Sequence, residues 1–186
     1  MQAAGGAAIT SSQSQTAGRY WSVAVVIGVL GLALDQVVKA VAIANLDPAH
    51  PVPLLGGLVT LQLIRNSGAA FSMGEGITPV FTVLAIAALS AVLFWALPRL
   101  RHVGWAVTAG LLIAGISGNL ADRLFREPGP FRGHVVDFIQ LPYFAIFNVA
   151  DMFITAAAVM VVWLTMIAKV NLDGTRQADR AEAADG

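Results

Sequence analysis

Four long apolar runs divide the chain, and their lengths decide what they form. They are 21–45 (WSVAVVIGVLGLALDQVVKAVAIAN), 79–98 (PVFTVLAIAALSAVLFWALP), 103–121 (VGWAVTAGLLIAGISGNLA) and a run from Asn148 to residue 168. Each lies close to or above the roughly 20 residues a helix needs to cross a hydrocarbon layer. The pattern predicts four membrane spans. Two long connections separate them, 46–78 and 123–147. In the first, Thr60 and Gln62 alternate with Leu61 and Leu63, the period-two pattern of a short strand or hairpin. In the second, Pro and Gly near 128–133 break any helix, and VVDFI (135–139) is a short extended candidate. Residues 1–18 are small, polar and uncharged, and are expected to be a disordered tail. Residues 171–186 form a second polar tail, which leaves 19–170 as the membrane domain. The expected class is an all-α polytopic membrane protein with four transmembrane helices and a small extended, β-like platform on one face.

Composition sharpens this picture. The chain is 57% hydrophobic and 12% charged, about half the charge of a soluble domain. Net charge is zero, so no basic surface points to nucleic acid. There is no cysteine, which excludes disulfides, thiolate metal sites and a cysteine nucleophile. His50, His102 and His134 lack metal-ligand spacing, and no metal or cofactor is expected. Ala42-Ile43-Ala44 looks like a signal-peptide cleavage site, but Asp35 and Lys39 interrupt the apolar run before it.

The polar residues inside the runs are not scattered. Consecutive spans alternate in direction, so Asp35, Lys39, Asn119, Asp122, Arg123, Asn148 and Asp151 gather at one face, together with both long loops. Polar groups at bilayer depth are costly and usually face a site or one another. Asn148 and Asp151 fit a helix N-cap followed by an acid in the first turn. Asn119 and Asp122 repeat the spacing at the end of a span, where the helix dipole disfavours an acid. That pair needs a tertiary partner, for which Arg123 is a candidate. Asp35 and Lys39 are four apart, as an intrahelical ion pair requires. Asp137, among Val135, Val136, Phe138 and Ile139, is either a solvated loop charge or a partner for Asp151. Two carboxylates sharing a proton can activate water. Gly115-Ile116-Ser117-Gly118 matches the G-x-S-G of rhomboid serine proteases, but no histidine lies in a span to serve as base. Flanking cations are nearly balanced: Arg19, Arg99, Arg101 and Lys169 on one face, Lys39, Arg65, Arg123, Arg126 and Arg132 on the other. The positive-inside rule therefore sets no orientation.

Five blocks, in order, carry a family resemblance. They are Leu34-Asp35-Gln36-Val37-Val38-Lys39, Asn66-Ser67-Gly68-Ala69-Ala70-Phe71-Ser72, Gly118-Asn119-Leu120-Ala121-Asp122-Arg123, Val135-Val136-Asp137-Phe138 and Phe147-Asn148-Val149-Ala150-Asp151. The chain resembles lipoprotein signal peptidase (signal peptidase II), the bacterial membrane aspartyl protease. The resemblance implies an aspartic endopeptidase that removes signal peptides from diacylglyceryl-modified prolipoproteins, cutting before the lipidated cysteine. It implies Asp137 and Asp151 as the catalytic dyad. Asp35, Lys39, Asn66, Gly68, Asn119, Asp122, Arg123 and Asn148 would bind substrate or support the site. It further implies a monomer in the bacterial cytoplasmic membrane, in contact with lipid, with the site and platform at the outer face. Both termini would be cytoplasmic, a mobile segment would lie within 46–78, and globomycin-type cyclic peptides would inhibit. The stretch from Asp122 to Asp137 is longer than the family's usual spacing, and that from Asp137 to Asn148 is shorter. A small ion- or proton-conducting protein with interfacial acids is the alternative. Such a path needs polar groups through its depth, and the second and fourth spans offer few beyond Thr82, Ser90, Thr155 and Thr165.

Overall fold

The computed structural model describes residues 4–68 and 77–176, with side chains from residue 20 onward. Four helices dominate: α1 (Ala4–Asn45), α2 (Thr78–Ser90), α3 (Val103–Phe125) and α4 (Val149–Val162). The ends of α2 and α4 widen into π turns, Ala91–Ala96 and Trp163–Ile167. The stretches long and apolar enough to cross a membrane are Tyr20–Asn45, Thr78–Arg99, Val103–Phe125 and Val149–Ile167. These match the four predicted spans, with two differences at the ends. The third runs on to Phe125 instead of stopping at 121, so Asp122 and Arg123 lie within the helix. At the other end, α1 extends back to Ala4, into the stretch expected as a disordered tail.

α3 is the central helix. Its mean hydropathy is the lowest of the four, 1.5, and half of its apolar window is buried, against 17%, 11% and 17% for the others. Val29, Leu30, Phe94 and Val159 on the outer helices are exposed. Exposed apolar surface of that extent suits lipid, where helices must satisfy their own backbone polar groups and have no need to hide apolar side chains. Close approach to α3 depends on small residues, as is usual between membrane helices. A Cβ on Gly115 would lie 2.5 Å from the Ala150 carbonyl oxygen, and one on Gly118 would lie 2.6 Å from Asp35 Oδ2. Those two glycines let α4 and α1 reach α3 at the level of the polar residues.

The extended platform is a three-stranded antiparallel sheet in the order β1-β2-β3, formed by Val52–Leu54, Val59–Asn66 and Val135–Gln140. On β3, Asp137 pairs with Ile64 and Val135 with Asn66, while a register irregularity between Leu61 and Ile64 gives β2 an extra residue. Val136 and Phe138 pack with Leu63 and with Ala42 of α1, which fixes the sheet to the helix ends. A bridge from Ile139 to Phe147 then feeds the chain into α4. At the other end of the bundle, Trp105, Leu97, Leu100, Leu164 and Val170 form a second core. The start of the expected C-terminal tail folds back there: Arg101 N–H donates to Leu172 O at 2.9 Å, and Val170 bridges Arg176. The segment 69–76 of the first loop lies outside the described residues, as do 1–3 and 177–186.

Candidate active site

The site is built outward from one buried cation. Asp35 and Lys39, both with zero exposure, form the predicted pair within α1, Nζ to Oδ2 3.0 Å. Lys39 also reaches Asp122 Oδ2 at 2.8 Å and donates to Asn119 Oδ1 at 3.0 Å, both on α3. The second oxygen of Asp35 accepts the Ala150 N–H in the first turn of α4, 2.9 Å. Asp122 accepts the Val136 N–H of β3 at 3.1 Å and pairs with Arg126 Nε. Two carboxylates thus face two cations, and one cluster ties α1, α3, α4 and β3 together. Asp122 was expected to pair with Arg123; its partners are instead Lys39 and Arg126. The reason is helix geometry, since residue 126 is four positions on and shares a face with 122 while residue 123 does not.

Above this cluster lies a chain of amides linking the two remaining acids. Asn148 caps α4: its Oδ1 accepts the Asp151 N–H at 3.1 Å, and Asp151 Oδ2 accepts the Asn148 N–H at 3.1 Å. Asn148 Nδ2 donates to Asp137 Oδ1 at 2.6 Å and to Asn119 Oδ1 at 3.0 Å. Asn119 Nδ2 in turn donates to Asp151 Oδ1 at 2.8 Å. Asn66, at the end of β2, donates to Asp137 Oδ2 at 2.9 Å, and its own Oδ1 accepts the Gly68 N–H at 2.8 Å. Gly68 has φ +93°, and a Cβ there would meet the Phe81 ring at 2.7 Å, so glycine is required at that turn.

Asp137 is 3% exposed. Burial pushes its carboxyl up to about 6; the Asn66 hydrogen bond opposes this, the Asp151 charge adds to it, and Asn148 and Lys39 oppose it. Asp151 is half-buried and lines a hollow of about 440 Å³ with Phe144, Phe147 and Met152. Asp137 lines another of about 290 Å³ with Arg65, Asn66 and Ile146. The linked acids therefore each open onto a cavity. Arg123 donates to Asn119 O at 3.5 Å, while its Nε is buried without a hydrogen-bond partner.

All ten residues predicted for the site lie in this region. Two others escaped notice. Arg126 carries the i+4 spacing to Asp122 as its only sequence signal. Gln36 donates to Gly118 O at 3.0 Å and to Asp35 Oδ2 at 3.1 Å, and its signals are its place beside Asp35 and within the Leu34–Lys39 block.

A family model described as signal peptidase II matches residues 27–167. The chain belongs to the signal peptidase II family. It is 47% identical over 135 residues to the lipoprotein signal peptidase of Mycobacterium avium, covering 73% of this chain and 74% of that one. Over 159 residues it is 45% identical to that of Mycobacterium tuberculosis, covering 85% and 76%. With that of Leifsonia xyli it shares 43% over 159 residues, covering 83% and 73%. Two solved structures described as bacterial membrane enzymes superpose with TM-scores of 0.68 and 0.67 at 25% and 26% identity. Each aligns with 77% of this chain, and with 92% and 87% of the respective structure. This signal peptidase II is thus a bacterial multi-pass membrane peptidase. The ion-path alternative is not favoured. The buried hydroxyls of Thr82 and Thr108 bond to the carbonyls of Thr78 and Gly104 within their own helices.

Proposed function

We propose that this signal peptidase II removes signal peptides from diacylglyceryl-modified prolipoproteins, with Asp137 and Asp151 as its catalytic dyad. The observation that carries the assignment is the amide bridge. Asn148 donates to Asp137, Asn119 donates to Asp151, and the two amides bond to each other. The carboxylates are thereby held in one network at the mouths of two cavities. Asp137, pushed up to about 6 by burial, keeps a proton to higher pH than an ordinary carboxyl and is the member suited to donate one.

The chemistry follows from that arrangement. Asp151, as the anion, takes a proton from a water molecule whose oxygen bonds to the scissile carbonyl carbon. Asp137 gives its proton to the carbonyl oxygen. Collapse of the tetrahedral adduct returns a hydroxyl proton to Asp137 as the C–N bond breaks, and the departing amine nitrogen takes the proton that Asp151 gained from water. Arg123 serves the substrate: a buried N–H without an acceptor is costly, and a peptide carbonyl would supply one. Asp35, Lys39 and Asp122 position the dyad by fixing the start of α4 and the backbone of β3. Gly68 and Asn66 hold the other side of Asp137.

The lipid has a physical role. A peptide anchored by two acyl chains presents its scissile bond at fixed depth, and each buried methylene contributes about 0.8 kcal/mol. The apolar hollow beside Asp151 suits the lipid-bearing side of the cut. The dyad then faces the outer surface of the cytoplasmic membrane and both termini lie inside. With Lys39, Arg123 and Arg126 set aside as parts of the site, the remaining cations favour the opposite end, Arg99, Arg101 and Lys169 against Arg65 and Arg132, which fits that orientation. The enzyme acts as a monomer, and globomycin-type cyclic peptides compete at the dyad. Cleavage of one prolipoprotein with and without its diacylglyceryl group, followed by mass spectrometry of the products, tests the substrate. Expected is a cut immediately before the modified cysteine and little turnover of the unlipidated form. Equal rates would leave only a general membrane aspartyl protease.

A further inference from the structure

The end of the bundle remote from the dyad carries a second built feature. Trp105 there and Asn119 at the dyad are separated along α3 by about 21 Å, at roughly 1.5 Å per residue. A cavity of about 700 Å³ opens between the α2–α3 loop and the C-terminal turn, lined by Arg99, Arg101, Trp105, Asn171 and Asp173 among others. It meets an apolar hollow of about 350 Å³ that runs between helices along Ala91, Trp95, Leu112 and Val161. Trp105 and Leu172 line both, so a polar mouth continues into an apolar groove.

The mouth is basic. Its lining cations, Arg99 and Arg101, are both exposed, and exposed Lys169 precedes the lining residue Val170 in the chain. The carboxylate at the rim, Asp173, uses Oδ1 to accept from Thr175 N and Oγ1. The arginines are held in place by their own backbone. Arg99 Nη1 donates to Trp95 O at 2.5 Å, and its guanidinium lies 5.2 Å from the Trp95 ring centroid. Arg101 Nη1 donates to Leu100 O at 2.8 Å and Pro98 O at 3.2 Å. A guanidinium has five N–H donors, so each keeps others for a phosphate, the group arginine binds in fork geometry. Basic clefts between membrane helices at the charged leaflet suit anionic lipid headgroups.

We propose that this cavity and groove bind one anionic phospholipid. Its phosphodiester sits against Arg99 and Arg101, and one acyl chain lies in the groove between Trp95, Leu112 and Val161. The headgroup charge complements the basic mouth, and the chain covers a groove with almost no polar lining. The substrate's diacylglycerol carries no phosphate and is processed at the opposite face, so this is a separate site. Its occupancy does not depend on the dyad assignment.

The test uses purified full-length protein in detergent, with native mass spectrometry and thermal unfolding as readouts. The probes are phosphatidylglycerol and phosphatidylcholine of identical chains. Expected is selective retention of phosphatidylglycerol and a rise in Tm with that lipid alone. Arg99→Gln with Arg101→Gln should weaken retention roughly 30-fold, from about 1 kcal/mol per basic residue near the surface. Ala91→Trp, which fills the groove and leaves the charges, should also lose retention. Peptidase activity should persist in both variants, which separates lost binding from lost folding. Equal retention of the two lipids, retention surviving either variant, or an equal Tm rise with soluble glycerophosphate would each overturn the proposal.

Discussion

Asp137→Asn should abolish activity and should gain stability relative to wild type as pH rises. The wild-type carboxyl is 3% exposed, and burial raises its pKa from 3.8 to about 6. At about 1.36 kcal/mol per pH unit, the folded state disfavours the ionised form by about 3 kcal/mol. With the folded value above the unfolded one, this group's stabilising contribution is fully present below pH 3.8 and is lost as pH rises through about 6. An amide never ionises, so the variant escapes that loss. It bears a separate, pH-independent cost. Asn66 and Asn148 both donate to Asp137, and one of them would face an N–H instead of an oxygen, at about 1–3 kcal/mol. The sign at any single pH therefore depends on two opposed effects, but the slope does not. The Tm of Asp137→Asn minus that of wild type should climb by roughly 5–10 °C between about pH 4 and pH 7. Thermal unfolding in detergent across that range, paired with a cleavage assay, measures both halves. A difference that stays flat with pH would refute the buried-carboxylate reasoning.

Three further outcomes follow from the same geometry. Lys39→Met should cost about 3–5 kcal/mol, because it leaves the carboxylates of Asp35 and Asp122 buried without their shared cation; an unchanged Tm would show the cluster to be dispensable. Gly118→Ala should cost about 1–3 kcal/mol by overpacking, since its Cβ would lie 2.6 Å from Asp35 Oδ2 and 3.0 Å from Ala150 Cβ; wild-type stability would mean the helices part freely there. Single cysteines at Gly56 and Gly129 should react with an impermeant thiol reagent from outside the cell and one at His102 should not; labelling of all three from one side would contradict the four-span topology.

Much of this architecture was legible because its signals are local. Helix spans follow from apolar length, and the Asn148–Asp151 cap and Asp35–Lys39 pair from spacing within one helix. The partners of Asp122 were not legible. Lys39 meets it across a helix interface that the small residue Gly118 helps to open, and no periodicity in either segment encodes that contact. Arg123 looked like the natural partner because it is adjacent in sequence, yet adjacent helical positions point apart. Asp137 remained ambiguous for a related reason. Its approach to Asn66 depends on β2–β3 register, set by an extra residue in β2 that alternation alone does not reveal. The resemblance to the family supplied that assignment where spacing stopped. The helical backbone back to Ala4 was missed because polar composition carries no span signal.

The central claim is that Asp137 and Asp151 act together on a lipidated substrate. Its most direct test is a gel-shift assay of purified wild type, Asp137→Asn and Asp151→Asn on diacylglyceryl-modified prolipoprotein in liposomes. Both variants should insert and unfold cooperatively, bind substrate, and yield no cleaved product. Normal turnover by either one would contradict the dyad.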